Sequence, residues 1–216
     1  MGLLTSPRWA AASVAAAGLI VTLGLLGATP ARAQVNVGDV GHVIGDPGAP
    51  VQVVAFTDFA CGACGEFARD SFDELRTTLI ESGRVIWRQV PFMLGFRRGR
   101  EATLAGECAA DQQAFWPMHD ALFADQDRWR RGRHPDEEFE GLAGELGLDV
   151  NAFAECVDRK TPRARIEAAN EAAEELSVRA TPAFYIDGRP VLGALSVEQF
   201  TALVEAAEAG RTGGGS

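Results

Sequence analysis

Val51-Gln52-Val53-Val54-Ala55-Phe56-Thr57 (VQVVAFT, 51–57) runs through Asp58-Phe59-Ala60 straight into Cys61-Gly62-Ala63-Cys64 (CGAC, 61–64). The first seven residues are almost continuously apolar and rich in valine, the composition of a strand buried on both faces. Beyond the cysteines, Phe67 or Ala68, then Phe72, Leu75 and Leu79 recur at helical spacing up to Gly83, which reads as a helix stop. A Cys-x-x-Cys pair is thereby placed where a buried strand feeds a helix. Arg84 to Val90 (RVIWRQV) predicts a second strand, ended by Pro91.

Further along, the pattern turns helical from about Gly99 to Leu176. Ala102, Leu104, Ala105 and Cys108 share one helical stretch, and Phe115 to Phe123 form another, broken or started near Pro117. Phe139, Leu142, Ala143 and Leu146 mark a third, stopped by Gly147. Asp149 is placed to cap a short fourth carrying Phe153 and Cys156. Thr161 as N-cap with Pro162 at the first helical position opens the fifth. Strand character returns at Ala183 to Ile186 (AFYI), and Asp187-Gly188 before Arg189 to Leu192 is a hairpin signal. Ser196 with Gln199 begins a last helix, expected to run through Glu208. Strands bracketing a helical block imply one α/β sheet domain interrupted by a helical insertion.

Working back to the N-terminus, Arg8 precedes an uncharged run, Ala10 to Leu26, and Ala31-Arg32-Ala33 has the small-x-small pattern of a signal peptidase site. Residues 1–33 are expected to be a signal peptide. A retained membrane anchor is the alternative, since about 17 apolar residues is the lower limit for a span. The whole chain holds 20 basic and 30 acidic residues, net −10. Loss of residues 1–33 removes only Arg8 and Arg32, giving 18 against 30, or −12. That balance excludes nucleic acid and anionic lipid as expected partners, because both need clustered positive charge. The local basic run Arg128, Arg130, Arg131 and Arg133 is offset by Asp125, Asp127, Asp136 and Glu137 and is expected to be a solvated loop. Residues 34–50, rich in Gly, Asp and Pro, read as a surface arm. About 183 residues remain after position 33, enough for one large domain or a domain with an insertion.

The chemistry is expected at the cysteine pair. At a helix N-terminus, free N–H groups and the macrodipole stabilise a negative sulfur, which brings a thiol from about 8.5 into the range of roughly 3.5–7.5. Cys61 is the candidate nucleophile, and the small Gly62 and Ala63 leave it approachable. Cys64, one turn on, is expected to be less exposed and to resolve a mixed disulfide. A half zinc site would need a second ligand pair, yet Cys108 and Cys156 have no His at ligand spacing, so no metal is expected. A purely structural Cys61–Cys64 bridge would close a very short loop and stabilise little. Four cysteines in an exported chain point to an oxidising compartment. Thr181-Pro182 before the AFYI strand is a second marker. A proline cannot donate to a central ladder, and one solution is a cis peptide in a loop facing the site. His119, among Phe115, Trp116, Leu122 and Phe123, is expected to be a hydrogen-bonded helix member beside packed rings rather than a pH gate. His42 and His134 fall in loops. The aromatic residues are core, with Phe59 the expected exposed exception beside Cys61.

Taken together, VVAFTDFACGAC (51–64), CAADQQAFWPMHDALF (108–123), LGLDVNAFAECV (146–157) and ATPAFYIDGRPVLGA (180–194) resemble the thioredoxin superfamily, specifically its exported DsbA-like disulfide oxidoreductases. The resemblance implies a thioredoxin-like fold with an inserted all-helical subdomain. It divides the chain into the signal peptide 1–33, an N-terminal arm 34–50, a first thioredoxin part 51–97, a helical insertion 98–176, a second thioredoxin part 177–209 and a flexible tail 210–216. It further implies Cys61 as nucleophile, Cys64 as resolving thiol, Pro182 as the cis-proline and Thr181 as backbone partner to an extended substrate. Cys108 and Cys156, both inside the matching words, are expected to form a structural disulfide across the insertion; two buried free thiols are the alternative.

Two departures from the family stand out. Many relatives carry a buried acid six residues before the first active-site cysteine, where this chain has Ala55. The dipeptide between the cysteines is Gly-Ala and not the Pro-His of strongly oxidising members, so a less extreme potential is expected. The implied activity is oxidation of cysteine pairs in reduced or unfolded exported proteins, without metal, nucleotide or organic cofactor, in the periplasm or another extracytoplasmic space. A quinone-linked membrane oxidase would restore the disulfide, and a monomer is expected. A reductase or isomerase of the same fold, and a metal-binding chaperone using the two cysteines as ligands, are the alternatives.

Overall fold

Strand β2 (Val51–Thr57) is buried along nearly its whole length, because its alternating side chains meet cores on both faces of the sheet. Val51, Val53 and Ala55 pack with Phe67, Trp87, Phe184 and Phe200 on one side. Val54 and Phe56 pack with Ala169, Ala173 and Val178 on the other. The structure is a computed structural model that describes residues 1–2 and 35–212. The expected signal peptide, apart from Met1 and Gly2, and residues 213–216 lie outside the described residues. Residues 35–212 belong to one compact unit.

After Cys61 the chain runs through α1 (Gly62–Phe67), a π-helical turn (Ala68–Phe72), α2 (Asp73–Leu75) and a second π-helical turn (Arg76–Ile80). Periodicity alone predicts a plain α-helix here. The wider turn matches the side chains, since Phe67 and Phe72 stand five residues apart and both pack against Trp87. Gly83 ends the run with φ +76°. Strand β3 (Val85–Pro91), one residue later at each end than expected, then lies parallel to β2, with Ala55 opposite Gln89.

On the other side of β2, β4 (Ala183–Ile186) is antiparallel, followed by β5 (Arg189–Leu192). The turn between them places Asp187 at φ 49° and Gly188 at φ 80°, both left-handed, as a two-residue hairpin demands. The arm differs from its reading. His42–Ile44 is a strand, β1, antiparallel to β3, so the sheet runs β1-β3-β2-β4-β5. Its signal is weak because the pairing depends on two glycines and not on an apolar run. Gly41 has φ +85°, and a Cβ there would stand 2.3 Å from the Gln89 carbonyl oxygen; Gly45 has φ +108°.

Between β3 and β4 the chain is helical: α3 (Gly99–Ala110), α4 (Phe115–Ala124), α5 (Gln126–Arg131), α6 (Pro135–Glu145), α7 (Val150–Arg159) and α8 (Arg163–Glu175). Helix α5 corrects the reading of residues 128–133 as a solvated loop. Trp129 is fully buried, donating its indole N–H to the Leu122 carbonyl at 2.7 Å, and holds that segment down. Helix α4 begins at Phe115, with Pro117 inside its first turn, where the missing N–H costs nothing. Asp149 caps α7 by accepting from the Ala152 N–H at 3.0 Å. The α8 start moves: Pro162 is the N-cap and Arg163 the first helical residue, because Thr161 donates its N–H back to the Cys156 carbonyl and closes the preceding helix instead. Cys108 and Cys156 are joined, tying α3 to α7.

The last helix, α9 (Val197–Thr212), opens on the expected box: the Gln199 carbonyl oxygen accepts from the Ser196 N–H at 3.0 Å, and the Ser196 hydroxyl from the Gln199 N–H at 3.3 Å. It continues four residues past Glu208, so the expected flexible tail 210–216 begins inside a helix. Two ion pairs hold this end, Arg84 with Glu208 at 2.7 Å and Arg211 with the buried Asp187 of the hairpin.

Candidate redox-active site

Cys61 is the N-cap of α1, in extended backbone conformation (φ −75°, ψ 125°), and its carbonyl accepts the first helical bond from the Gly65 N–H at 3.1 Å. The strand delivers the chain to this point and the helix carries it away, so the sulfur sits where free N–H groups converge. Both cysteines are free thiols here. Cys61 keeps 5% of its surface and Cys64 only 1%, while Gly62 between them is exposed. Gly62 is therefore the most open residue of the motif.

The two thiols are driven apart electrostatically. A hydrogen bond from the Cys64 thiol is the main cause that brings the Cys61 thiol down to about 6. Burial opposes the shift, and Thr181 with the backbone N–H groups of Cys64 and Ala63 adds to it. Burial pushes the Cys64 thiol far up, and the neighbouring Cys61 sulfur pushes it further. One sulfur is poised as a thiolate near neutral pH and the other is held protonated, the arrangement that dithiol exchange requires.

The Thr181–Pro182 peptide is cis, and the Cys61 thiol donates to the Thr181 carbonyl oxygen at 3.3 Å. Residues 120 positions apart in sequence thus meet at the sulfur. Cys108 and Cys156 belong to the helical block, Cys108 in the core that also takes in Cys61 and Cys64.

Two polar side chains hold the loop that leads into Cys61: Asp58, whose place three residues before Cys61 does not make it the counterpart of the acid missing at Ala55, and Gln126, for which sequence reading gave no role. Asp58 is fully buried, and its carboxylate accepts from the Ala60 N–H at 2.8 Å and the Leu94 N–H at 2.9 Å, while its carbonyl accepts from the Cys61 N–H at 3.0 Å. Burial raises its pKa, against those two bonds and the charge of Arg130. Gln126, at the start of α5, donates to the Phe59 carbonyl at 2.7 Å and the Cys61 carbonyl at 2.8 Å. Gly65 makes room for it, since a Cβ there would lie 2.2 Å from Gln126 Oε1. The spacing of Gln126 and Trp129 (i, i+3) within α5 was the available sign that Gln126 shares the inward face of Trp129.

Phe59 corrects its reading as exposed. It is 1% exposed and packs against Phe123, with ring centroids 5.0 Å apart, and against His119. The insertion covers the face that an uninterrupted sheet domain would leave open. His119 is itself buried, bonded through Nδ1 to Asp120 at 2.9 Å, and burial lowers its pKa. At Ala55 no acid approaches from the paired strand. The buried polar groups on that face of β2 and β3 are Thr57 and Gln89, hydrogen-bonded to each other, with the Trp87 indole donating to Gln89 at 3.2 Å.

A thioredoxin family model matches residues 38–206. The chain belongs to the thioredoxin family. Within it, disulfide bond formation protein D of Bacillus subtilis is 28% identical over 174 residues, covering 76% of this chain and 75% of that protein. The crystal structure of Wolbachia pipientis alpha-DsbA1 superposes with a TM-score of 0.69 at 23% identity, covering 79% of this chain and 92% of that one. The thioredoxin-like fold with a helical insertion is thus the DsbA fold. A Na(+)/H(+) antiporter NhaA 1 of Salinispora arenicola is 36% identical over 172 residues, 80% of this chain. The chain spans about a quarter of the length of that antiporter. Among the described residues, no helix is long and apolar enough to cross a membrane.

Proposed function

We propose that the chain is a DsbA-like protein-disulfide oxidoreductase that oxidises cysteine pairs in exported proteins through Cys61 and Cys64. The observation that carries this is the pair of opposed thiols, Cys61 lowered to about 6 at a helix N-terminus and Cys64 buried and held protonated. In the oxidising direction a client thiolate attacks Sγ of Cys61 in the Cys61–Cys64 disulfide. The S–S bond breaks, and Cys64 leaves and takes a proton, as its raised pKa favours. The client is then held on Cys61 as a mixed disulfide, its backbone meeting the Thr181–Pro182 loop. A second client thiolate attacks the client sulfur, forming the client disulfide and releasing Cys61 as the stabilised thiolate. Two electrons pass to the protein, which ends as the dithiol.

By the resemblance, export follows cleavage after Ala33, the protein works as a monomer outside the cytoplasm, and a quinone-linked membrane thiol oxidase reoxidises it. Disulfide bond formation protein D, named for that process, supports the direction. A Cys64→Ser variant should trap client proteins on Cys61 as mixed disulfides in the extracytoplasmic fraction. Equilibration with glutathione buffers should place the potential well above that of thioredoxin, about −270 mV. A value near thioredoxin's would assign the reductase direction, and no trapped client in any fraction would remove the exchange reading.

A further inference from the structure

The chain is acidic overall, net −10, yet a cation stands beside the exposed neighbour of Cys61. The guanidinium of Arg130, on α5, lies 4.0 Å from the position a Cβ would occupy on Gly62, the exposed residue next to the nucleophile. Gln126 fixes α5 there through its two bonds to the active-site loop. From the opposite side, Gly99 at the start of α3 packs on the Asp58 carboxylate, and its neighbour Arg98 donates to the Gly132 carbonyl at 2.5 Å. That bond joins the loop after β3 to the segment carrying Arg133. These contacts hold α5 and the start of α3 against the Cys61 loop, with Arg130 beside its exposed residue.

These arginines differ in what they are free to do. Arg128 is engaged by Asp125 at 3.1 Å and Glu138 at 3.0 Å, and Arg131 by Asp127 at 3.3 Å. Among the described residues, Arg130 and Arg133 have no carboxylate within ion-pair distance. The charge of Arg130 acts on Asp58, which is buried beneath the loop with its carboxylate already bonded to two N–H groups. Arg130 is half-buried and Arg133 exposed. Screening limits each charge to about 10 Å at ordinary ionic strength. A polypeptide docking on Cys61 over Gly62 therefore meets the cation of Arg130 first, with the exposed Arg133 three residues further along the chain.

We propose that Arg130 and Arg133 form a cationic rim that selects clients whose cysteine is flanked by acidic residues. The inference rests on Cys61 being the nucleophile, and assigns the sequence preference of that same site. The rim acts before the chemistry, raising the encounter rate of an acidic segment and not that of a basic one.

The test measures the rate at which two reduced model peptides, one with Glu and one with Lys on both sides of a single cysteine, open the Cys61–Cys64 disulfide of the protein. Because flanking charge also alters a peptide's own thiol, the quantity read is the Glu-peptide to Lys-peptide rate ratio, compared between proteins. At 20 mM salt the ratio should fall roughly tenfold in Arg130→Glu/Arg133→Glu. It should fall less in Arg130→Met/Arg133→Met, and in the unaltered protein it should shrink in 0.5 M NaCl. A ratio that is the same in all three proteins and indifferent to salt overturns the rim. If neither peptide opens the disulfide, the exchange reading fails together with the inference.

Discussion

At the scale of single residues, the site works by making two identical side chains unequal. Cys61 and Cys64 are three residues apart, yet one thiol is lowered to about 6 and the other is pushed far up. The largest cause for Cys61 is its bond from Cys64, so the dipole of the helix is not acting alone. A Cys64→Ala variant should raise the Cys61 pKa by roughly one unit, read from thiolate absorbance at 240 nm against pH. A titration that stays near 6 would transfer the effect to the backbone N–H groups. Gly62-Ala63 lacks the histidine of strongly oxidising relatives, and here the thiol partner, Thr181 and the backbone do the lowering. The backbone's share was legible from the motif, since a helix N-terminus follows from strand and helix patterns nearby. The bonds of Asp58 and Gln126 were not, because a buried polar residue is recognised by its partners, which lie 36 and 65 positions away.

At the scale of elements, apolar periodicity found the long pieces and missed the short ones. β2, β3, β4 and α9 have the burial to leave a pattern, whereas β1 is three residues long and α5 six. β1 exists because Gly41 and Gly45 take left-handed backbone and let the strand approach β3 closely. Replacing Gly41 with alanine should cost about 2 kcal/mol or more, from the φ penalty and the collision with the Gln89 carbonyl. Urea unfolding measures it, and an unchanged midpoint would mean that β1 adds nothing to stability. α5 is anchored by one tryptophan and one glutamine, both pointing inward from a sequence that otherwise looks like a charged loop. It brings one residue of the basic run, Arg130, beside Gly62.

At the scale of the whole molecule, two quantities follow from long-range connection. The Cys108–Cys156 bridge closes a span of 48 residues, which the chain-entropy account values at about 4 kcal/mol. A Cys108→Ala/Cys156→Ala protein should lose stability on that order in denaturant, while its Cys61 still titrates near 6. Stability should also depend on pH differently in the two redox forms. In the dithiol form the native Cys61 pKa, about 6, lies below the unfolded value of about 8.5. The resulting stabilisation is present in full above 8.5 and is lost as pH falls through 6. Between pH 6 and 7.5 the reduced protein should gain about 2 kcal/mol relative to the oxidised one, in which these groups do not titrate. Above about 8.5 the trend reverses, because Cys64 ionises only when unfolded. A reduced-minus-oxidised difference that is flat with pH would contradict the opposed thiols.

The sequence by itself determined the order of the main strands and helices, the cysteine pair at a strand–helix junction, the hairpin at Asp187-Gly188 and the two caps at Asp149 and Ser196. Each is a local matter, set by side-chain period, backbone preference or bonds within a few residues. Only the tertiary structure decided that Phe59 is covered, that β1 joins the sheet, that Thr181 meets Cys61, and that Arg130 stands beside Gly62. Those depend on which distant segments are pressed together, and burial of apolar surface, being non-directional, leaves no record of its partners in the local pattern.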